Sequence, residues 1–542
     1  MASTSDVVDK FSREGLKSRM TKLVQQIPGY GAVKFDDVKP LVSPVDKMAA
    51  ETKMGISQQT LVSNQQKAKR ITQYMAALTA TIGGFIMGTI LGWTSPAGDR
   101  LIAGEYPFPV TESDLSFIGS SMALGAVFGS PVVGNLVDTV GRKNTMLLLA
   151  VPTLVGWGLI IWSQSVIMFC AGRLLTGFGG GSFAVVVPMY TAEIAETEIR
   201  GTLGTYFQLQ CTAGILFVYA VGSWASVYGL SIICALLPIF FVGLMLLMPE
   251  SPQFHLKKNR VKQAKESLQW FRGSEYDIDS EITDMQNSLE KERSDKVPLM
   301  QAFSTPAAKR GLLIGLGVMF IQQFGGINAV VFYTVKIFKD AGSSLNPNLC
   351  TIIVGTIMMV TTWIATMIVD RLGRRILLLV SAVIMALSTL TMGYYFYLKN
   401  SGSDVSNINS GSDVSNIGWL PLGSLCVFII VFSLGFGPIP WMLVGEIFPS
   451  QIKGIAVSIA CLFNWVSVLV VTKFFGDVTL LLGGHGAFWI FSVIAALGAV
   501  FTYILVPETK GKTLDEIQME LGGNGESNEN VMVVVDTKDG KY

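Results

Sequence analysis

Runs of about 20 apolar residues alternate with short polar stretches along most of the chain. Twelve such runs lie at 71–94, 115–137, 144–164, 167–190, 202–224, 228–248, 311–337, 349–369, 376–397, 419–441, 454–475 and 486–506. Each is long enough to cross the hydrocarbon core of a bilayer as a helix. Helix is forced there, because lipid offers the backbone no hydrogen-bond partner. The pattern predicts an all-α membrane protein with twelve transmembrane helices. Residues 1–70 are polar and lack an apolar signal-peptide core, so the first span is expected to target the chain.

Lysine and arginine collect on alternate connections: 141–144, 198–201, 255–265 and 371–375. The opposite connections, 95–114, 398–418 and 476–486, are nearly bare of them. Basic connections stay cytoplasmic, so both termini are expected in the cytoplasm. Residues 249–310 read as a charged linker. Within it Val261, Ala264, Leu268 and Phe271, and then Ile282, Met285 and Leu289, recur at helical spacing, as in short amphipathic helices. The string SGSDVSNI occurs at 401–408 and again at 410–417, as in a flexible polar insert. The tail 507–542 is expected in the cytoplasm, and disordered after about Gly522.

The chain also repeats itself. VDTVGRK at 137–143 returns as VDRLGRR at 369–375, an offset of 232. AEIAETEIRG at 192–201 returns as GEIFPSQIKG at 445–454, and PESP at 249–252 is echoed by PETK at 507–510, offsets of 253 and 258. The order is kept, and the duplicated insert accounts for much of the change in offset. Two parallel six-helix halves follow, 71–248 and 311–506, a plan that places a binding site between halves near midplane.

Composition agrees with a membrane chain: 50% of residues are hydrophobic, only 15% are charged, and mean hydropathy is +0.50. The net charge of +1 gives no reason to expect nucleic acid. The six cysteines are scattered in or beside apolar runs, so no disulfide framework or metal site is implied, and no cofactor is expected. His255 and His485 lie far apart and in no catalytic motif, so an enzyme is not expected. Nothing in the sequence bears on oligomeric state.

The chemistry lies in polar residues inside apolar runs. Gln322, Gln323 and Asn328 carry neutral amides in the seventh run, around the pair Gly325–Gly326. At 100° per residue they fall on scattered faces of a straight helix. A break at the glycines can turn all three to one cavity, and broken helices are tolerated in membranes where they line a site. An amide both donates and accepts, which suits an uncharged polyol. Charges recur at the basic connections: Asp138, Arg142, Glu193 and Arg200, then Asp370, Arg374, Arg375, Glu446 and Lys453. Basic residues alone would follow from topology, but acids at matching places predict ion pairs that join the halves when the cytoplasmic side is closed.

GNLVDTVGRK (134–143) resembles the loop motif of the major facilitator superfamily. GRLLTGFGGG (172–181), PESP (249–252), QQFGGIN (322–328), GPIPW (437–441) and PETKGKTLDEI (507–517) narrow the resemblance to its sugar porter family. GWTSPAG (92–98) is most similar to insect trehalose and hexose transporters and their vertebrate facilitative relatives. The resemblance implies sugar ligands at Gln208, Gln322, Gln323, Asn328, Trp441 and Asn464, with Trp465 beside the last. Pro438 and Pro440 would bend the tenth helix and free carbonyls. Three departures stand out: Met358 replaces a common asparagine, Lys453 a usual arginine, and Gln253 a common arginine.

Proton-coupled members carry an aspartate in the first span. Here Ile90 stands at that place, and no acid lies from Ile71 to Trp93, so Arg173 lacks that partner. The expected function is facilitated transport of a neutral sugar, glucose, another hexose or trehalose, across the plasma membrane. The alternatives are a proton–sugar symporter and a non-transporting sugar sensor.

Overall fold

The computed structural model describes residues 68–294, 303–342, 345–401, 417–448, 452–512 and 514–522. The expectations for the tails before residue 68 and after Gly522, and for the duplicated insert at 402–416, lie outside these residues, as does the Asp370 side chain. Among the described residues every regular element is helical.

In chain order these are α1 Arg70–Gly92, α2 Thr94–Ile102, α3 Glu112–Val140, α4 Arg142–Ile161, α5 Val166–Ile194, α6 Thr197–Gly222 and α7 Val227–Leu246. Three short helices follow: α8 Pro252–Lys257, α9 Val261–Arg272 and α10 Asp279–Ser294. Then come α11 Pro306–Gln322, a π turn at Gln323–Ile327, α12 Asn328–Ala341, α13 Pro347–Leu372 and α14 Arg374–Ser401. The series ends with α15 Leu420–Leu434, α16 Ile439–Ile447, α17 Lys453–Leu505 and α18 Leu514–Gly522.

Ten described helical segments are long and apolar enough to cross a membrane. The 26-residue α6 is not among them, because Gln208 and Gln210 dilute its apolar middle. The 53-residue α17 counts once. At about 1.5 Å per residue it would run about 80 Å, far beyond one hydrocarbon core. It breaks at Gly483 (φ 73°, ψ 168°). Counting α6, and α17 as two, is consistent with twelve spans.

Two connections differ from expectation. Residues after Trp93 continue as α2, with Thr94, Ser95, Pro96, Ala97 and Gly98 buried rather than looped out. Residues 476–482 remain helical, because the leucines at 480–482 prolong the apolar run up to Gly483.

Helix starts follow capping chemistry. Thr111 opens α3 with a capping box: its hydroxyl accepts from the Asp114 N–H (3.2 Å), and the Asp114 carboxylate accepts from the Thr111 N–H (2.9 Å). Ser165, Ser226 and Thr305 likewise accept from N–H groups in the first turns of α5, α7 and α11.

Packing among α1–α7 rests on glycines. A Cβ at Gly125 of α3 would collide with the Leu174 carbonyl of α5, and one at Gly177 of α5 with the Met122 carbonyl of α3. Gly88 of α1 and Gly214 of α6 repeat the arrangement against the Cys211 and Phe85 carbonyls. With no hydrophobic drive between helices in lipid, such close backbone approach supplies van der Waals contact. Within the C-terminal helices α14 packs on α15 and α17. The two groups meet where α3 lies on α17, α6 on α13, and α2 on α12.

Between the groups, Leu256, Ala264, Leu268, Ile278 and Ile282 form a small core of their own. Phe271 joins the main core, while Val261 is exposed at the start of α9. The buried Arg272 donates to the Ile194 carbonyl (2.8 Å) and grips Glu281 (2.6 Å), tying α9 to the end of α5.

Adding one methyl group tests the glycine seam. Gly125→Ala or Gly177→Ala should destabilise the detergent-solubilised protein by about 1–3 kcal/mol through overpacking. Gly134→Ala, at a glycine with nothing within 4 Å, should leave its melting temperature unchanged or raise it. Melting followed by size-exclusion fluorescence reads all three.

Candidate functional site

Two broken helices meet in the C-terminal group. The first break is the π turn, where Gly326 adopts φ 102°, a conformation open to glycine, and a Cβ would strike the Phe491 ring. The second separates α15 from α16 at residues 435–438. Pro440 has no N–H to give the Phe436 carbonyl, so the ladder opens there. Gln322 fills the gap, its Nε2 donating to the Phe436 (2.7 Å) and Gly437 (3.0 Å) carbonyls.

The Gln322 Oε1 then accepts from Asn464 Nδ2 (2.8 Å) and Gln323 Nε2 (3.1 Å). Gln323 Oε1 accepts from Asn328 Nδ2. All four amides are buried. The structure thus brings together Gln322, Gln323, Asn328 and Asn464. Their hydrogen bonds go to one another, to the two freed carbonyls and to the Met319 sulfur. Capacity is left over: among the described residues, Oδ1 of Asn328 and Oδ1 of Asn464 accept nothing, and the buried Trp465 Nε1 donates to nothing.

The two other residues expected as ligands stand outside this cluster. Gln208 is half-buried on α6, and Trp441 on α16 is 39% exposed; neither hydrogen-bonds among the described residues. Met358 is buried and apolar where the resemblance led us to look for an asparagine. Sequence reasoning missed the Phe436 and Gly437 carbonyls as partners of Gln322, although the prolines of GPIPW signalled them.

Arg173 is fully buried on α5. It donates to the Ile90 carbonyl (3.0 Å) and to Thr94 Oγ1 (3.0 Å), and it lies 5.3 Å from the Trp93 ring centroid. The place of an acid is taken by a carbonyl, a hydroxyl and a π face.

The charged residues at the basic connections form two copies of one device. Gly141 and Gly373, at φ 100° and 92°, start α4 and α14. The Glu250 carboxylate accepts from the N–H groups of Arg142 (3.0 Å) and Lys143 (3.0 Å). Glu508 accepts from those of Arg374 (2.9 Å) and Arg375 (3.1 Å). A negative group at a helix N-terminus satisfies orphan donors and opposes the helix dipole. The Arg142 guanidinium then pairs with Glu193 (2.8 Å), and that of Arg374 with Glu446 (3.1 Å). Ser251 donates to Glu193, and Thr509 to Glu446 (2.6 Å). Glu250 and Glu508 were legible in the repeated strings PESP and PETK and in the family resemblance, but without a role of their own.

The expected joining of the halves by these charges belongs to a conformation closed at the basic end, and here that end is open. The ion pairs at the basic end join helices within each group, and among the described residues none crosses between groups. Asp138 reaches Arg142 (3.6 Å) and Lys257 (3.8 Å), and Arg375 lies over the Tyr503 ring (5.6 Å). Arg200 and Lys453 are exposed and form no ion pair among the described residues. The reason is the conformation: the groups are tied at the opposite end.

There α12 docks on the N-terminal helices. The Tyr219 hydroxyl donates to the Val331 carbonyl (2.7 Å), and the Val335 N–H donates to Ser95 Oγ (3.2 Å). These contacts flank a kink at Tyr333 (φ −127°). Lys336 pairs with Glu112, and Lys339 with Asp99 (3.3 Å).

The family model described as sugar (and other) transporter matches residues 48–521. The facilitated trehalose transporter Tret1 of Polypedilum vanderplanki is 43% identical over 457 residues, 83% of this chain and 88% of that protein. Tret1 of Culex quinquefasciatus is 39% identical over 523 residues, 96% of this chain and 94% of that protein. The xylose transporter XylE from E. coli, in a partially occluded inward-open conformation, superposes with a TM-score of 0.68 at 25% identity, over 81% of this chain and 99% of its own. The fold is the all-α major facilitator fold.

The closed end can be tested by charge reversal. With Ser116→Cys, a buried seam position, as reporter in a background lacking native cysteines, Lys336→Glu should raise labelling by an impermeant thiol reagent two- to five-fold. That is the worth of a partly exposed ion pair, about 0.5–1 kcal/mol. Adding Glu112→Lys should return labelling to its starting level.

Proposed function

The chain belongs to the sugar transporter family and transports sugar, and we propose that it is a uniporter for a neutral sugar, glucose, another hexose or trehalose. It works by alternating access in the plasma membrane, with both termini cytoplasmic. Its two halves are residues 71–248 and 311–506, joined by a cytoplasmic linker at 249–310, with tails at 1–70 and 507–542.

The observation that carries this reading is the buried cluster of neutral amides where two broken helices meet. Gln322, Gln323, Asn328 and Asn464 are the first sugar ligands, and Gln208 and Trp441 join them as the halves close on the sugar. Trp441 has an exposed flat face for a sugar ring and an N–H for a hydroxyl. A polyol hydroxyl can take over an amide's bond with a bond of similar strength, so each exchange gains less than the about 0.5–1.5 kcal/mol of a newly formed hydrogen bond. Modest binding suits a carrier, which must also release its cargo.

Alternating access is supported by the unequal ends. Tyr219, Ser95, Lys336 and Lys339 hold the end opposite the basic connections shut. With basic connections cytoplasmic, this is an inward-facing state. In the outward-facing state the charged devices at the basic end come together, and Arg200 and Lys453 gain partners across the gap. Uniport is supported by Arg173, whose described partners are all uncharged.

Uptake of labelled glucose or trehalose into proteoliposomes, competed by a panel of sugars, tests the reading; absence of flux with every sugar refutes it. Gln323→Leu should abolish uptake while surface expression survives, and normal uptake in that variant removes the assigned site. A protonophore, with internal pH clamped, should leave initial uptake unchanged; a large fall would establish proton coupling instead.

A further inference from the structure

We infer that the lipid-facing seam between α3 and α17 seats a phospholipid of net negative charge, its phosphate resting on Lys473. The seam holds a groove of about 330 Å³, lined by Phe117, Ser120 and Leu124 on α3 and by Leu469, Lys473 and Phe474 on α17. Phe117 is 50% and Phe474 52% exposed, so the groove opens to the outside of the helix bundle, the surface that lipid covers in a membrane-spanning chain.

Lys473 is the polar anchor. Its ammonium lies 3.7 Å above the centre of the Phe117 ring and forms no ion pair among the described residues. The ring takes one side of the ammonium. The N–H donors on the other side still need an acceptor, and an ammonium at the edge of hydrocarbon finds one among the headgroups.

Depth fits the phosphate layer. Lys473 stands 20 positions beyond Lys453, which begins α17 at the basic end. At about 1.5 Å per residue that is about 30 Å, one hydrocarbon thickness. Phe117 is likewise near the start of α3, at the closed end. Towards the bilayer interior the lining turns apolar, with Leu469 and Leu124 offering a track for an acyl chain. The track argues for a lipid rather than free phosphate. The unpaired positive charge argues for an anionic headgroup over a zwitterionic one, whose own cation would meet Lys473.

One wall belongs to each group of helices, so the seat exists only while α3 and α17 stay together. A bound lipid therefore favours this conformation.

The test is native mass spectrometry of the full-length protein in detergent, titrated with phosphatidylglycerol or phosphatidylcholine. Binding is read without any transport assay, so failure here leaves the sugar reading untouched. Wild type should retain phosphatidylglycerol at least three-fold better than phosphatidylcholine. Lys473→Met should remove that preference, Lys473→Arg should keep it, and Phe474→Ala should weaken retention of both lipids. Lys309→Met, at an exposed lysine on α11, should match wild type. The proposal is overturned if Lys473→Met binds like wild type, if Lys309→Met loses as much, or if inorganic phosphate displaces the lipid at equal concentration.

Discussion

A backbone carbonyl inside a membrane must find a donor within the protein, and the site is organised around two that lost theirs. Pro440 cannot supply an N–H to Phe436, and the chain opens at residues 435–438. The Gln322 amide closes the gap by donating to both Phe436 and Gly437. Its oxygen then organises Asn464 and Gln323, and Gln323 holds Asn328. The proline pair, the π turn and the amides form one hydrogen-bonded unit. In the proposed site, a sugar hydroxyl that competes for Gln322 would therefore also act on the joint between α15 and α16.

The basic end follows the same rule. The N–H groups that open α4 and α14 would be orphaned by the sharp turns at Gly141 and Gly373, and the Glu250 and Glu508 carboxylates take them. Each carboxylate arrives from the far end of its own group of helices, so capping a helix start also fastens that group together. The Arg142–Glu193 and Arg374–Glu446 pairs add to this. Each group is thereby fastened to itself at the basic end. The joints between groups rest on fewer and more exposed ties, notably Lys336–Glu112 and Lys339–Asp99. Ties of this kind are worth about 1 kcal/mol or less each, which leaves a two-state equilibrium within reach of a small ligand.

The seam at Lys473 extends this logic to the surrounding lipid. In the proposed transport cycle the surface between the two groups would change with conformation, and a lipid seated there would take part in the balance.

Much of this was written in the sequence, because a membrane span must bury its backbone hydrogen bonds within itself. Length and apolarity therefore fixed the helices, the glycines and prolines marked the breaks, and the repeated strings marked the paired charged devices. Tertiary structure alone decided the partners. Nothing in the spacing of Gln322 told that it would meet the Phe436 carbonyl 114 positions away. Nor did spacing tell that Arg142 and Arg374 would each find their glutamate inside their own group of helices. Periodicity reports which face a residue takes on its own helix. Pairing depends on how helices distant in sequence are docked, and on which end of the bundle is closed.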